Sequence, residues 1–282
     1  MLLTSNIMKF HDELGVCETI DAFAAAGFDG IEFNADLKEY YTDAHNKEFY
    51  LELRRYAEEK GILIPQAHAP FSSSYTDEEK TKQRFFDIVK SMRHVSWLGV
   101  KNIIVHPCRH IDCTTDDGYA RMMEYNLDFY KRLIPYAEEY GLRIAIENIR
   151  DCITVTSDGL LELLRALNSD VFTVCYDVGH ANKTGHGAAD MIYKLGNVIE
   201  CTHIHDNDGV NDTHTLPYYG TIDWEGVMCA LAEVGYKGNL NYEAGNFVKN
   251  MPIALRSKAA EYMVSVGKYL IERYHHYKNL KR

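Results

Sequence analysis

The strongest constraint on this chain is an alternation that runs its whole length. Short apolar runs are followed, each time, by stretches of helical period. The apolar runs span residues 2–7, 30–34, 62–68, 102–106, 143–147, 172–177, 198–203 and 239–243. Helical patterns fill residues 17–26, 46–60, 77–98, 119–140, 157–167, 188–195, 223–234 and 252–274. Gly27, Gly61, Gly99, Gly141 and Gly235 follow the last residues of such patterns, where a left-handed residue stops a helix and glycine adopts it without strain. Pro252 suits a first helical turn. Strand and helix in alternation imply parallel pairing through right-handed crossovers. Eight such units within 282 residues, with no linker or low-complexity tract, predict an α/β fold, a (β/α)8 TIM barrel forming a single domain over residues 1–282.

Loop lengths sharpen that expectation. The connections after strands, at residues 34–46, 69–76, 107–118, 178–187 and 204–222, are long, while those before strands are short. A barrel with its active site at the C-terminal ends of the strands shows that asymmetry. Composition narrows the class of partner. A formal charge of −11 argues against a general affinity for polyanions, and basic residues cluster only in the last few positions. No run approaches the roughly 18 apolar residues of a membrane span. The start lacks a charged segment followed by a long apolar stretch, so a cytoplasmic chain without a secretion signal is expected. Seven scattered cysteines, an odd number with no Cys-x-x-Cys, read as reduced thiols.

The strand ends carry the chemistry. Consecutive runs finish in His68, His106, Glu147, Asp177, His203 and Glu243, and His180, His205, Asp212 and His214 follow in the loops just beyond. Alternation along a strand puts Cys201, His203 and His205 on one side. A carboxylate at the end of a buried strand is costly unless it is paired or coordinates metal. Mixed imidazole and carboxylate ligands suit Zn²⁺, Mn²⁺, Co²⁺ or Fe²⁺ better than Ca²⁺. Tyr40, Tyr41, Phe71, Tyr75, Tyr218 and Tyr219 would suit the walls of a pocket for a small polyol.

The motifs Ile-Ala-Ile-Glu147-Asn, Tyr-Asp177-Val-Gly-His180-Ala-Asn, His203-Ile-His-Asp206-Asn, Asp212-Thr-His214, Gly-Thr-Ile-Asp-Trp and Tyr-Glu243 together resemble the xylose isomerase-like barrels. That superfamily includes sugar and sugar-phosphate isomerases and epimerases and the AP endonucleases of family 2. The resemblance covers essentially the whole chain. It implies one metal ion held by Glu147, Asp177, His203 and Glu243, with the two glutamates removing and returning a proton through an enediolate. His203 is preferred to His205 because the family's histidine stands three residues before an acid, which Asp206 supplies. The nuclease branch implies three zinc ions: His68, His106 and Glu147 for one, the same four-residue set for the second, and His180, Asp212 and His214 for the third. In an inosose dehydratase-like lyase the four-residue core is shared.

The expectation is therefore a metal-dependent sugar isomerase or epimerase with a small-molecule substrate, and neither nucleic acid nor membrane as partner. One divalent ion, zinc or manganese before cobalt or iron, is expected to be tightly bound, with up to three accommodated. His68, His106, His180, His205, Asp212 and His214 are candidates for a second metal or for substrate. The sugar, its phosphorylation and any homo-oligomer are left open.

Overall fold

The computed structural model describes residues 1–185 and 187–280. Position 186, within the long 178–187 connection, and the basic pair at 281 and 282 lie outside the described residues. Among the described residues eight strands form one sheet: β1 (Leu3–Asn6), β2 (Gly30–Asn34), β3 (Leu63–His68), β4 (Asn102–Val105), β5 (Arg143–Glu147), β6 (Phe172–Asp177), β7 (Ile199–His203) and β8 (Leu240–Tyr242). The helices are α1 (Met8–Leu14), α2 (Val16–Ala26), α3 (Lys38–Tyr41), α4 (Lys47–Glu59), α5 (Glu78–Trp97), α6 (Asp116–Tyr140), α7 (Ser157–Leu167), α8 (Val178–Asn182), α9 (Ala188–Leu195), α10 (Trp224–Glu233) and α11 (Ile253–Leu280). Neighbouring strands follow the order β7-β6-β5-β4-β3-β2-β1-β8. The two ends of that order meet, because Ile204 N–H donates to the Asn241 carbonyl at 2.7 Å and Glu243 N–H to the Ile204 carbonyl at 3.0 Å. With parallel pairing between them, this is the (β/α)8 barrel that the alternation predicts.

Every strand falls within a residue or two of its expected limits. Three short helices do not follow from periodicity: α1, α3 and α8 are each less than two turns or little more, too short to repeat a pattern. α8 owes its start to Asp177, whose Oδ1 accepts from the His180 backbone N–H at 2.6 Å. Caps of this kind also open α5 through Asp77, α6 through Thr115 and α10 through Asp223, each satisfying an amide that has no partner inside the helix. α11 continues to Leu280, past the expected residue 274.

The chain groups into two compact units, and the boundaries fall inside β2, α4, β3 and β6 rather than in linkers. One comprises Met1–Glu32, Arg55–Ile64 and Tyr176–Arg282. Its core includes Phe10, Phe23 and Phe28, with ring centroids 4.8 and 4.7 Å apart, and the buried Trp224, Tyr242 and Tyr274. The other comprises Phe33–Arg54 and Pro65–Cys175. Phe33, Tyr40, Tyr50, Phe85, Phe129 and Tyr130 fill its interior, each large apolar side chain contributing about 1.5–3 kcal/mol by leaving water. Tyr40, expected at a pocket wall, is instead a core ring 4.6 Å from Phe33.

Beside Tyr40 lies the buried His94, whose Nδ1–H donates to the Tyr40 carbonyl at 2.9 Å. Burial lowers the His94 imidazole below its ordinary value of 6.5; the Tyr40 hydrogen bond and Asp43 oppose that shift, and Arg93 and Lys90 reinforce it. Folded His94 therefore resists protonation more than unfolded His94. The stability this adds is complete above about pH 6.5 and is lost as pH falls through the lowered folded value. Denaturant titrations at pH 8 and at mildly acidic pH should show a larger acid loss for the wild type than for His94→Gln. Equal losses in the two proteins would remove His94 as a source of acid sensitivity.

Candidate metal centre

Asp177 ends β6, His203 ends β7 and Glu243 follows β8. Each offers a ligand atom within 4.8 Å of those of the other two. His203 Nδ1 lies 3.4 Å from Glu243 Oε2 and 3.9 Å from Asp177 Oδ2. On its other edge, Nε2 lies 2.9 Å from Glu32 Oε2. Glu32, Asp177 and His203 are fully buried, while the Glu243 side chain keeps 21% of its exposure. The two oxygens of Asp177 divide their work: Oδ1 caps α8, and Oδ2 faces His203. Both readings of an aspartate after a strand, helix cap and ligand, are therefore compatible at one residue.

This donor set fits a divalent cation. An Nε2–H directed at Glu32 would leave the Nδ1 lone pair facing two carboxylates. Acceptors buried face to face repel unless a cation lies among them, a proton in the metal-free chain or a metal ion in the loaded one. Mixed imidazole and carboxylate donors suit zinc and its first-row neighbours.

A second group stands in the same unit. His180, His205, Asp212 and His214 offer ligand atoms within 4.8 Å of one another. The His205 and His214 rings stack with centroids 3.8 Å apart and planes at 11°. His205 Nε2 lies 3.1 Å from Asp177 Oδ1, and its Nδ1 is a buried nitrogen with no hydrogen bond. Glycine is required at 179, since a Cβ there would lie 2.0 Å from His205 Cε1. Burial pushes the Asp212 carboxyl up, but hydrogen bonds with His180 and His214 outweigh it and hold the carboxyl far below its usual range. Burial opposes a charge on His214 as well; Asp212, Glu243 and Asp177 prevail and raise it to about 9. A cation entering this group has that proton to displace.

The other unit carries a third group, His68, His106 and Glu147, again within 4.8 Å. His68 Nδ1–H donates to the Ala69 carbonyl at 2.8 Å, which leaves the Nε2 lone pair 3.0 Å from His106 Nε2. His106 Nε2 is also 2.9 Å from Glu147 Oε2. Phe71 lies over this pair, its ring centroid 5.3 Å from that of His68 and 5.1 Å from that of His106. Tyr41 and Tyr75 instead flank Arg84, and Tyr218 and Tyr219 are exposed.

Two residues have roles that the sequence did not disclose. Glu32 sits between Ile31 and Phe33 in a run that reads as a plain strand; an acid flanked by apolar residues is the available signal. Asp206 is the anchor of the long loop after β7. Its Oδ1 accepts from the amides of Asn207 and Ile222 at 2.9 and 3.3 Å, and its Oδ2 from the amide of Tyr218 and the Trp224 indole at 2.9 and 2.8 Å.

Among known proteins, the family model for xylose isomerase-like TIM barrels matches residues 20–263. An uncharacterized protein of Methanocaldococcus jannaschii is 28% identical over 246 residues, 83% of this chain and 80% of its own. A D-tagatose 3-epimerase-like protein of known structure is 26% identical with a TM-score of 0.76, covering 97% of this chain and 99% of that one. The IolI protein, solved with a zinc atom bound, has a TM-score of 0.78 at 20% identity, covering 98% and 99%.

Four donors on one buried carboxylate make Asp206 intolerant of an amide. In Asp206→Asn, either orientation of the side chain turns an NH2 toward two N–H groups. The expected loss is roughly 3 kcal/mol of stability, read by denaturation, with altered Trp224 fluorescence as the 207–223 loop loosens. An Asn variant as stable as the wild type would show that the loop is held by other contacts.

Proposed function

The chain belongs to the xylose isomerase-like TIM barrel family, and from that premise we propose that it is a divalent-metal-dependent isomerase or epimerase acting on a sugar or sugar phosphate. The observation that carries this reading is the convergence of Asp177, His203 and Glu243 at strand ends, with His203 Nδ1 3.9 Å from one carboxylate and 3.4 Å from the other. In this proposal Glu147 completes the ligand set. It ends β5, and its register partner is Cys175, two residues before Asp177. Similarity to a D-tagatose 3-epimerase-like protein supports the substrate class, and the zinc atom of the IolI protein supports the metal. The net charge of −11 also favours a small substrate over a nucleic acid.

Bound at these residues, a divalent ion supplies Lewis acidity that makes the proton next to a sugar carbonyl removable. The chain's own residues do the rest. Glu243, less buried than Asp177 and His203, and Glu147 take and return that proton. His203, held by Glu32, keeps one orientation toward the centre. His68 and His106, covered by Phe71, bind hydroxyl or phosphate oxygens, and His180, Asp212 and His214 do the same beside Glu243.

One observation favours a second reading. The groups at His68, His106 and Glu147 and at His180, His205, Asp212 and His214 could each take an ion, as a zinc phosphodiesterase acting on abasic DNA would require.

Metal analysis of protein purified without chelator should return one tightly held ion per chain. With a ketose in deuterated water, label should enter at the carbon beside the carbonyl. Glu147→Gln and Glu243→Gln should each cut turnover by at least about a hundredfold. Turnover without solvent label would refute proton transfer and point to hydride shift or dehydration. Three stoichiometric zinc ions with cleavage of an abasic strand would replace the sugar reading by the nuclease.

A further inference from the structure

We propose that Glu32 is a positioning residue that locks His203 into the tautomer able to bind a cation; this rests on the reading of Asp177, His203 and Glu243 as a metal centre.

An imidazole that binds metal through one nitrogen must carry its proton on the other, and a carboxylate hydrogen-bonded to that N–H selects the tautomer and raises the ring's basicity. His203 has acceptors on both edges. Nε2 faces Glu32 at 2.9 Å, while Nδ1 faces Glu243 at 3.4 Å and Asp177 at 3.9 Å. In a neutral ring the proton goes to the shorter contact, so Nε2 is the donor and Nδ1 presents its lone pair to the two carboxylates. Glu32 cannot itself join the centre, because the width of the imidazole stands between them.

Glu32 is in turn held through β1 and β8, the next two strands on one side of β2. Asn241, in β8, directs Nδ2 at Glu32 Oε2 from 3.2 Å. The amide is oriented by Thr4, in β1, whose hydroxyl donates to Asn241 Oδ1 at 2.7 Å. Register places these residues side by side: Thr4 pairs with Asn241, and Asn6, two residues on, pairs with Glu32. Thr4, Glu32, His203 and Asn241 are all buried, so the chain Thr4–Asn241–Glu32–His203 runs through the interior. A polar relay in such a place is costly unless every member is satisfied. Donation runs from the Thr4 hydroxyl to the Asn241 amide and from that amide to Glu32, so the carboxylate is held as an acceptor that the imidazole must meet with an N–H.

The test uses the full-length chain. Nitrogen NMR of histidine-labelled, metal-free protein at alkaline pH should show His203 with its proton on Nε2. Glu32→Gln, which keeps an acceptor oxygen, should retain that tautomer and bind zinc with less than about tenfold loss. Glu32→Ala should lose the bias and weaken zinc binding roughly 10- to 100-fold, measured by competition with a chromogenic chelator, while circular dichroism and melting report that the chain is folded. His203 protonated on Nδ1 in the wild type, or a folded Glu32→Ala chain with unchanged zinc affinity, would overturn the assignment. Should Glu32→Ala not fold, the wild-type tautomer and the Glu32→Gln rescue decide the matter. A wild type that keeps the Nε2–H tautomer but takes up no divalent ion would support the positioning role and sink the metal-dependent reading instead.

Discussion

Glu32, Asp177 and His203 have no solvent around them, and each would be costly to bury alone. Their burial is tolerable where each answers another: one edge of the imidazole meets Glu32, and in the proposed centre its other edge meets Asp177 and Glu243 through a shared cation. Removing any one leaves a charge without compensation in the interior, where such losses reach several kcal/mol. The barrel supplies what this arrangement needs, namely strand ends that arrive from different segments with side chains already directed inward. Stability and chemistry are therefore linked at this point. The same compensation that permits the buried charges also suits the proposed cation site.

Around this centre the chain uses single residues for two tasks. Asp177 starts a helix with one oxygen and faces His203 with the other. His214 donates to the Glu243 backbone carbonyl at 2.9 Å while its other nitrogen faces Asp212, so its position is tied to that of a proposed proton carrier. Asp206 takes no part in the ligand groups and instead gathers four donors from its loop. An acid three residues after His203 thus serves geometry, holding the connection that brings Asp212 and His214 into place. Gly179 does similar work by absence, leaving room for the His205 ring.

Much of the fold was legible in the sequence. Eight apolar runs with helical stretches between them admit few topologies, and the glycines after residues 26, 60, 98, 140 and 234 mark where helices stop because a left-handed residue is needed there. The strand-end position of His68, His106, Glu147, Asp177, His203 and Glu243 could be read from the same pattern, since a charged residue closing a buried strand has few inexpensive explanations. Short helices escaped notice because four to seven residues do not repeat a period, and Tyr40 was misplaced because aromatic character alone does not separate a pocket wall from a core.

Tertiary structure alone decided the pairings. That Glu32 serves His203, 171 residues away, depends on strands β2 and β7 being brought within reach by the strands between them. Nothing local to Gly30–Asn34 distinguishes that glutamate from one paired with a nearby lysine. The division of Asp177 between cap and centre, the stacking of His205 on His214 and the donors gathered by Asp206 likewise depend on angles and distances across the chain. Side-chain period determines which residues face inward, and so the sequence by itself determined the barrel and the roster of candidate ligands. Which nitrogen faces which oxygen is set by contacts between distant segments, and only the folded chain decides it.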